Sequence, residues 1–452
     1  MEVPLVEHGS LMLRAAQRSA VLPNMALVTR FDDPPSADEL RGEAARLAAS
    51  PFGLGRRLRA PRVPGARPRW QLATEAPPVA LAPPADAADE VRRWLDDELS
   101  VAHDPQHGAG WRLAAVPGAD GRTTVALGMS HLYGTGRDVA TTLYGGLDPV
   151  DPATLPAGPP PLVAEALDAA GRVARGARGT AALAGEAALL PWRRRRDGAL
   201  STLGRALGAM RDRDPSRGRG SRRRVGAIAT VDADAWDARA RALGGTPTSL
   251  QVAAVANLVR EARAARGGAV ARTVRLIVPV DLADRDEVPD VTASVGPIRL
   301  TSATVLLPGG RAQHGALDDV RAETRRAFAA AADEVRRTGR VPVAPGAIDA
   351  MKLLPDDVTR RVVFGVHGHY DGAASNVGVL PPGIRRLGSR VATDAVLMAF
   401  PLGSDLSVAL ARHDDRIQLG VVADPSRLGA GPPLRERLVA ELTAWDVPFE
   451  AW

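Results

Sequence analysis

A single histidine at the end of an apolar strand pattern is the residue best placed for chemistry in this chain. Residues 130–136 read SHLYGTG, and His131 follows the strand-like residues 123–129. A strand end holds a side chain rigidly, and a helix starting just beyond it offers backbone N–H groups with a partial positive charge. A neutral imidazole there can remove a proton from an attacking alcohol or amine, while the N–H groups stabilise an oxyanion. The pattern indicates acyl transfer, although a buried structural histidine would give the same pattern.

A second polar segment, HGHYDG at residues 367–372, suggests metal ligation only superficially. His367 and His369 would share a face only on a strand, and no further His, Asp or Glu set has ligand-like spacing. A polar loop is therefore favoured there. The chain contains no cysteine, which excludes disulfides, Cys-ligated zinc, iron–sulfur clusters and Cys nucleophiles. We expect no metal site.

The elements that must position His131 form two α/β blocks. The 452 residues, 45% hydrophobic, are enough for two or three compact units. Apolar periodicity and turn signals predict strands at 25–31, 111–116, 123–129, 225–231, 274–280, 298–307, 391–400, 406–411 and 418–422. Helices are predicted at 36–49, with a Ser36/Glu39 capping box, and at 88–99, 232–243, 248–265, 316–338 and from about Gly136. Between the blocks, 162–190 is helix-compatible but interrupted by glycine, and 191–224 has a loop-like composition.

Residues 130–136 resemble a degraded His-His-x-x-x-Asp-Gly motif of the chloramphenicol acetyltransferase-like, or condensation, superfamily. Five later segments are similar, in the same order, to motifs of its wax ester synthase/diacylglycerol acyltransferase (WS/DGAT) family. These are Arg222–Val231, Gly245–Leu250, Val278–Leu282, Ser375–Pro381 and Pro401–Pro425. In the second of them Ser249 and Leu250 stand where that family has Asn-Asp.

The resemblance implies an α/β fold of two chloramphenicol acetyltransferase-like lobes that form a pseudo-dimer with a central tunnel. It implies an N-terminal lobe at 1–155, an Ala/Pro/Arg-rich connector at 156–221 and a C-terminal lobe at 222–452. Ser375 and Asn376 lie in the segment similar to the family's Ser-Asn-Val motif and are expected to line the tunnel. The Asn376 amide could equally well satisfy a turn.

The motif residues correspond one by one. The family's second histidine, its general base, corresponds to His131, and its first to Ser130. The family's aspartate corresponds to Thr135 and its glycine to Gly136, which would shape the loop. In the family that aspartate pairs with an arginine that holds the loop. Thr135 cannot form this ion pair, although its hydroxyl can cap a helix start.

The implied function is acyl transfer from a thioester, acyl-CoA or acyl carrier protein, to a hydroxyl or amine acceptor. A lipid alcohol, a diacylglycerol or a natural-product intermediate would be such an acceptor. The thioester is a co-substrate, and no further cofactor is expected. Because Ser130 and Thr135 replace two motif residues, the alternative is a catalytically impaired scaffold or binding protein with the same fold.

The net charge of +6 is concentrated in one tract. Residues 193–224 contain 12 arginines and three aspartates, so the rest of the chain is slightly acidic. The tract could be a solvated linker, or could attract anionic membrane headgroups or the phosphates of coenzyme A or a carrier protein, and the neighbouring 162–190 stretch fits peripheral membrane contact. Only Trp192 interleaves with the arginines, so no nucleic-acid binding is expected. The N-terminal residues lack a signal-peptide layout and no apolar run approaches the ~18–20 residues of a membrane span, so we expect a cytoplasmic protein that could associate with a membrane surface.

Overall fold

Strands and helices alternate along most of the chain in a computed structural model. The described residues are Leu13 and 24–50, 53–73, 75–144, 160–197, 222–267, 272–281, 300–338, 355, 358, 370–401 and 403–452. Their strands are β1 (Asn24–Phe31), β2 (Arg56–Arg59), β3 (Arg69–Leu72), β4 (Ala80–Leu81), β5 (Trp111–Pro117), β6 (Thr123–Ser130), β7 (Val225–Asp232), β8 (Thr273–Asp281), β9 (Leu300–Pro308), β10 (Gly372–Val379), β11 (Arg386–Leu387), β12 (Arg390–Val391), β13 (Asp394–Ala399), β14 (Leu406–His413), β15 (Arg416–Ala423) and β16 (Phe449–Ala451).

Helices cover both sheets. They are α1 (Ala37–Ala48), α2 (Ala88–Leu99), α3 (Gly136–Tyr144), α4 (Leu162–Asp197), α5 (Ala233–Ala242), α6 (Pro247–Ala265), α7 (Asp318–Thr338), α8 (Pro425–Leu428) and α9 (Leu434–Ala444). Within the described ranges, two short 3-10 turns lie at His131–Tyr133 and Pro382–Arg385. The predicted capping box at the start of α1 is present, since the Ser36 hydroxyl accepts from the Glu39 N–H and the Glu39 carboxylate accepts from the Ser36 N–H.

A five-stranded sheet in the order β13-β1-β6-β5-β4 carries the candidate motif. Its second strand, β1, is buried at every residue and pairs antiparallel with both neighbours, β13 and β6. Leu27 of β1 lies opposite Leu127 on one side and Leu397 on the other, and all three join the core formed with α1 and α3. The predicted 111–116/123–129 hairpin is confirmed as β5 and β6.

A seven-stranded sheet in the order β16-β7-β15-β14-β10-β8-β9 forms the second half of the molecule. β10 runs parallel to both β14 and β8, and the other pairs are antiparallel. The helix α6 is largely buried against this sheet, and Trp236 and Trp445 are each enclosed in the same core.

One strand of the first sheet, β13, comes from the C-terminal half of the chain. It pairs with β1 and packs face to face on β15 of the second sheet, where a Cβ on Gly420 would lie 2.3 Å from the Leu397 carbonyl oxygen. Only glycine fits at that contact. The sheets therefore do not divide at residue 222, and the domain limits drawn from the sequence remain a prediction.

A buried carboxylate links the two sheets at the start of β13. Asp394 has no exposed surface and accepts hydrogen bonds from Arg30 of β1 at 2.7 and 3.1 Å. From the second sheet it accepts from Thr230 at 3.0 Å and from Gln418 at 3.1 Å, and Arg416 lies within 3.3 Å. Because each donor belongs to a strand distant in sequence, this cluster fixes how β13 lies between the sheets.

The connector differs from the sequence prediction. α4 is a continuous helix of 36 residues, so the backbone of 191–197 is helical rather than a loop. Residues 162–190 are rich in Ala, Leu and Arg, whose high helix propensity outweighs the scattered glycines, and four consecutive arginines continue the helix after Pro191. None of the helices in the described part of the chain is long and apolar enough to cross a membrane. The short strands β2, β3, β4 and β16 were not predicted because they contain only two to four residues and little alternation.

Candidate active site

The segment SHLYGTG lies where β6 leaves the first sheet. Ser130 ends the strand, is buried, and donates its backbone N–H to the Gly110 carbonyl at 2.9 Å. Its hydroxyl accepts from the Leu132 N–H at 3.4 Å and so caps the 3-10 turn that begins at His131. His131 itself is exposed. The alternative of a buried structural histidine therefore does not apply. His131 directly follows the rigid end of β6, and its exposed side chain is accessible to a substrate.

A buried arginine holds the turn that carries His131. Arg56 of β2 donates to the Tyr133 carbonyl at 2.8 Å and stacks 4.4 Å from the Trp70 ring centroid. The single proton of the Tyr133 hydroxyl is shared between two acceptors, the Arg56 carbonyl at 2.9 Å and the Ala109 carbonyl at 2.5 Å. Burial lowers the pKa of Arg56 to about 10, so the guanidinium is still charged at neutral pH.

This arginine was not predicted from the sequence, although a signal for it exists. Leu54, Arg56 and Leu58 alternate with period two, and both leucines are almost fully buried. An arginine on the inward face of such a strand needs a specific partner, because an unpaired buried charge is costly. Which partner it meets could not be read from the alternation.

Thr135 and Gly136 start the helix that follows the turn. The Thr135 carbonyl accepts from the Val139 N–H at 3.0 Å, the bond expected at a helix N-cap. A Cβ on Gly136 would lie 3.7 Å from a Leu397 methyl, an ordinary contact, so sterics do not demand glycine there. Gly134 has a φ of 153° and is the residue whose backbone favours glycine. Gly134 is thus the position in this turn where the backbone itself favours glycine, and the loop-shaping role of Gly136 remains a prediction.

Ser375 and Asn376 lie on β10 of the second sheet. The Ser375 carbonyl accepts from the Gln251 side chain of α6 at 3.0 Å. The Asn376 side-chain oxygen accepts from the Gly378 N–H at 3.0 Å and so holds a β-bulge, while its amide donates to the Thr248 hydroxyl at 3.3 Å. Asn376 is exposed and satisfies a local turn. The motif of β6 and this pair thus sit on different sheets, and a tunnel lined by both remains a prediction.

A second imidazole packs on the motif strand. His103 is buried, and its Nε2 would lie 2.4 Å from a Cβ on Gly128, two residues before Ser130 on the same face of β6. Burial, aided by the positive charge of Arg112, lowers the pKa of His103 to about 4, so the ring is neutral at physiological pH. Spacing gave no signal for this residue, because 25 positions separate it from the glycine it covers.

His103 also lines a cavity of about 610 Å³ beside the motif. Ala109 and Gly110 line this cavity and contact the motif. The Ala109 carbonyl accepts from the Tyr133 hydroxyl, and the Gly110 carbonyl accepts from the Ser130 N–H. The volume is that of a pocket for a small organic molecule. The lining residues are 77–80, 101–104 and 107–112.

Two segments singled out from the sequence lie partly outside the described residues. The arginine tract is described only up to 197 and from 222. In HGHYDG, His367 and His369 lie outside, but Asp371 is buried, forms an ion pair with Arg263 and accepts from the Arg275 N–H at 2.7 Å. That carboxylate is therefore structural. Among the described residues no group of three or more His, Asp or Glu could hold a metal ion.

Comparison with known proteins identifies the fold. No family model and no curated protein matches the sequence. Among solved structures, the wax ester synthase/diacylglycerol acyltransferase from Marinobacter aquaeolei VT8 is 14% identical, with 98% of each chain covered and a TM-score of 0.57. The first condensation domain of the CDA synthetase is 15% identical over 99% of this chain and 97% of that domain, with a TM-score of 0.54. The starter condensation domain of a rhizomide synthetase is 13% identical, covers 98% of this chain and 93% of its own, and has a TM-score of 0.51.

These likenesses extend over nearly the whole chain and both sheets. They confirm the α/β condensation fold predicted from residues 130–136 and the later segments. At 13–15% identity they establish the fold.

Proposed function

Starting from this condensation fold, we propose that the protein is an acyltransferase that moves an acyl group from a thioester to a hydroxyl or amine, with His131 as general base. The observation that supports the proposal is the exposed imidazole at the end of β6, on a turn capped by Ser130 and held by Arg56. A base held on a rigid element can keep the geometry that proton transfer requires.

The proposed reaction is a direct transfer. The acceptor oxygen or nitrogen attacks the thioester carbonyl carbon as His131 takes the acceptor's proton. The carbonyl becomes an oxyanion, and backbone N–H groups at the start of α3 are suited to stabilise it. The C–S bond then breaks, the carbonyl re-forms, and the proton passes from the imidazolium to the leaving thiolate. No covalent enzyme intermediate is required.

The donor in this proposal is acyl-CoA or an acyl carrier protein. One solved protein with this fold is named for wax ester synthesis and diacylglycerol acylation, and others are named for condensation. Because these names point to different acceptors, the fold supports thioester chemistry more strongly than a particular acceptor. We propose that the two substrates enter a tunnel between the sheets and meet at His131. The chain would then act on a lipid alcohol, a diacylglycerol or a natural-product intermediate.

The experiment compares wild-type protein with His131→Ala. Purified full-length protein is incubated with acetyl-, octanoyl- and palmitoyl-CoA and a panel of alcohols and amines. Released coenzyme A is detected with a thiol reagent, and because the protein has no cysteine it contributes no background. We expect turnover with at least one pair, and a loss of about 10²–10⁴-fold in His131→Ala, the usual contribution of a general base.

The control is Glu436→Ala, which removes an exposed proton acceptor on α9, outside the motif and outside the cavity lining. It should keep wild-type turnover. Full activity in a folded His131→Ala protein would remove His131 from the mechanism. Loss of activity in both variants would show that the effect is not specific to the motif.

A further inference from the structure

The edge of the first sheet is open where β5 begins. The outermost strand, β4, pairs with β5 at Ala114 and Ala115. The Ala82 N–H donates to the Ala115 carbonyl at 2.9 Å, and the donors on one edge of a strand recur at every second residue. The next donor positions back along the chain are Ala80 and then Pro78, and proline has no N–H. The pairing therefore cannot extend to the first residues of β5.

Trp111 is the residue of β5 that is left without a neighbouring strand on this edge. The Ser130 N–H donates to the Gly110 carbonyl, so the backbone groups of Gly110 and Arg112 face β6 and those of Trp111 point to the open edge. The N–H and C=O of Trp111 have no hydrogen-bond partner among the described residues. An extended backbone placed there can accept from this N–H and donate to this carbonyl, as an added strand does.

The cavity of about 610 Å³ lies at this open edge, since residues 77–80 and 107–112 both line it. It also contains a buried side chain that lacks a partner. His103 is 6% exposed, and neither of its ring nitrogens forms a hydrogen bond with a residue in the described ranges. Burial lowers the pKa of His103 to about 4, so the neutral ring offers one N–H donor and one acceptor. Folded proteins rarely leave such a group unsatisfied, and an amide bound in the cavity would satisfy it.

The charged side chains that line the cavity are already paired. The Asp104 carboxylate lies 2.8 Å from Nδ1 of His107, and the Arg112 guanidinium forms an ion pair with Glu98 at 3.1 Å. The remaining lining residues are mostly Pro, Val, Ala and Gly. The cavity is therefore suited to an uncharged ligand with small side chains.

We infer that this cavity binds a short, uncharged peptide, which adds to β5 as an extra strand by exchanging hydrogen bonds with Trp111 and bonding to His103. The volume of about 610 Å³ is in the range of small-ligand pockets, and three extended residues span about 10 Å. None of residues 130–136 lines the cavity, so the inference does not depend on the proposed acyl transfer.

The test is isothermal titration of the full-length protein with N-acetyl-trialanine methylamide, an uncharged peptide with both ends blocked. We expect one saturable site. The same peptide with its three alanine nitrogens methylated cannot donate to the Trp111 carbonyl and should bind at least about fivefold more weakly. Ala102→Trp, at an exposed position in the cavity lining, should obstruct the cavity and weaken binding by at least about tenfold. The matched control is Ala238→Trp, exposed on α5, which should bind as wild type.

The contact with His103 is tested by NMR of the imidazole groups. The peptide should shift the signal of His103, which is identified by its absence from the spectrum of His103→Gln. Four results would overturn the inference. They are no saturable binding by wild type, equal binding of the methylated peptide, equal binding by the two tryptophan variants, and an unchanged His103 signal at saturation. Because these measurements use no thioester, their result is independent of the result for His131.

Discussion

Arg56 and Tyr133 exchange hydrogen bonds across 77 residues of sequence. The Arg56 guanidinium donates to the Tyr133 carbonyl at 2.8 Å, and the Tyr133 hydroxyl donates to the Arg56 carbonyl at 2.9 Å. The pair clamps the 3-10 turn that presents His131. In the motif that residues 130–136 resemble, an aspartate would bind the loop-holding arginine. Arg56 holds this turn through a backbone carbonyl, a contact that needs no charge at Thr135.

Replacing Arg56 with methionine should destabilise the protein and release the turn. The change keeps apolar bulk beside Trp70 but leaves the Tyr133 carbonyl without its buried donor, which typically costs about 1–3 kcal/mol. Urea unfolding should show this loss, and the acyl-transfer rate should fall further than stability alone explains. Arg57→Met, at the exposed neighbouring position, should change the unfolding free energy by less than about 0.5 kcal/mol.

The exchange should also appear as energetic coupling. Tyr133→Phe removes the hydroxyl bonds to the carbonyls of Arg56 and Ala109 and should cost about 1–2 kcal/mol. In a double-mutant cycle, Arg56→Met and Tyr133→Phe should couple by about 0.5–3 kcal/mol in the free energy of unfolding. Additive effects would mean that the two residues act independently.

His103 should make stability fall in mild acid. Its pKa is about 4 in the folded protein and 6.5 in an ordinary environment, because burial disfavours the charged ring. Between these two pH values the unfolded chain binds more protons than the folded protein, so acid favours unfolding. The contribution of neutral, buried His103 to the free energy of unfolding is complete above pH 6.5 and is lost as the pH falls towards 4. The 2.5-unit difference corresponds to about 3 kcal/mol. Urea unfolding at pH 4.5 and 7.5 measures the loss.

Asp96 changes stability with pH in the opposite direction, because burial raises its pKa to about 6. The measurement must therefore separate the effect of His103 from that of Asp96. His103→Gln retains Asp96, so the difference between wild type and variant isolates the histidine. The variant should lose less stability than wild type between pH 7.5 and 4.5. Arg57→Gln, at an exposed position, should lose as much stability as wild type between the two pH values.

Asp394→Asn should weaken the junction between the sheets. The amide cannot balance the charge of Arg30 and brings an N–H group towards the donors of Thr230 and Gln418. Breaking a buried ion pair in this way typically costs about 3–5 kcal/mol. Asp414→Asn, at an exposed carboxylate paired with Arg385, should cost less than about 1 kcal/mol in the same thermal unfolding experiment.

Restoring the motif distinguishes the enzyme from the scaffold. If His131 is catalytic without the other motif residues, Ser130→His/Thr135→Asp should change turnover by less than about tenfold. Activity that appears only in this variant would favour the catalytically impaired scaffold. Because Ser130 is buried, Thr135→Asp alone, at a half-exposed helix start, provides a second variant that should fold and remain active.

Local signals in the sequence predicted the framework well. The capping box at Ser36, the turn between β5 and β6 and the helix start at Gly136 each depend on residues within a few positions of one another. They lie where the pattern placed them, so the amino-acid order was enough to locate the end of β6 and the motif after it. The absence of cysteine follows from composition, and the position of the arginine tract follows from residue order.

The tertiary structure decided which distant groups meet. Arg56 contacts Tyr133, and the imidazole of His103 covers Gly128. The residues of each pair are too far apart in the sequence for helix or strand periodicity to indicate the contact. The helix α4 shows the difference most clearly: its sequence separates aliphatic from charged residues, and hydrophobicity alone would turn the aliphatic side inward. Contacts with the loop between β2 and β3 turn the aliphatic side outward instead. Burying the carboxylates of α4 without the donors of this loop would cost more free energy than exposing the leucines does.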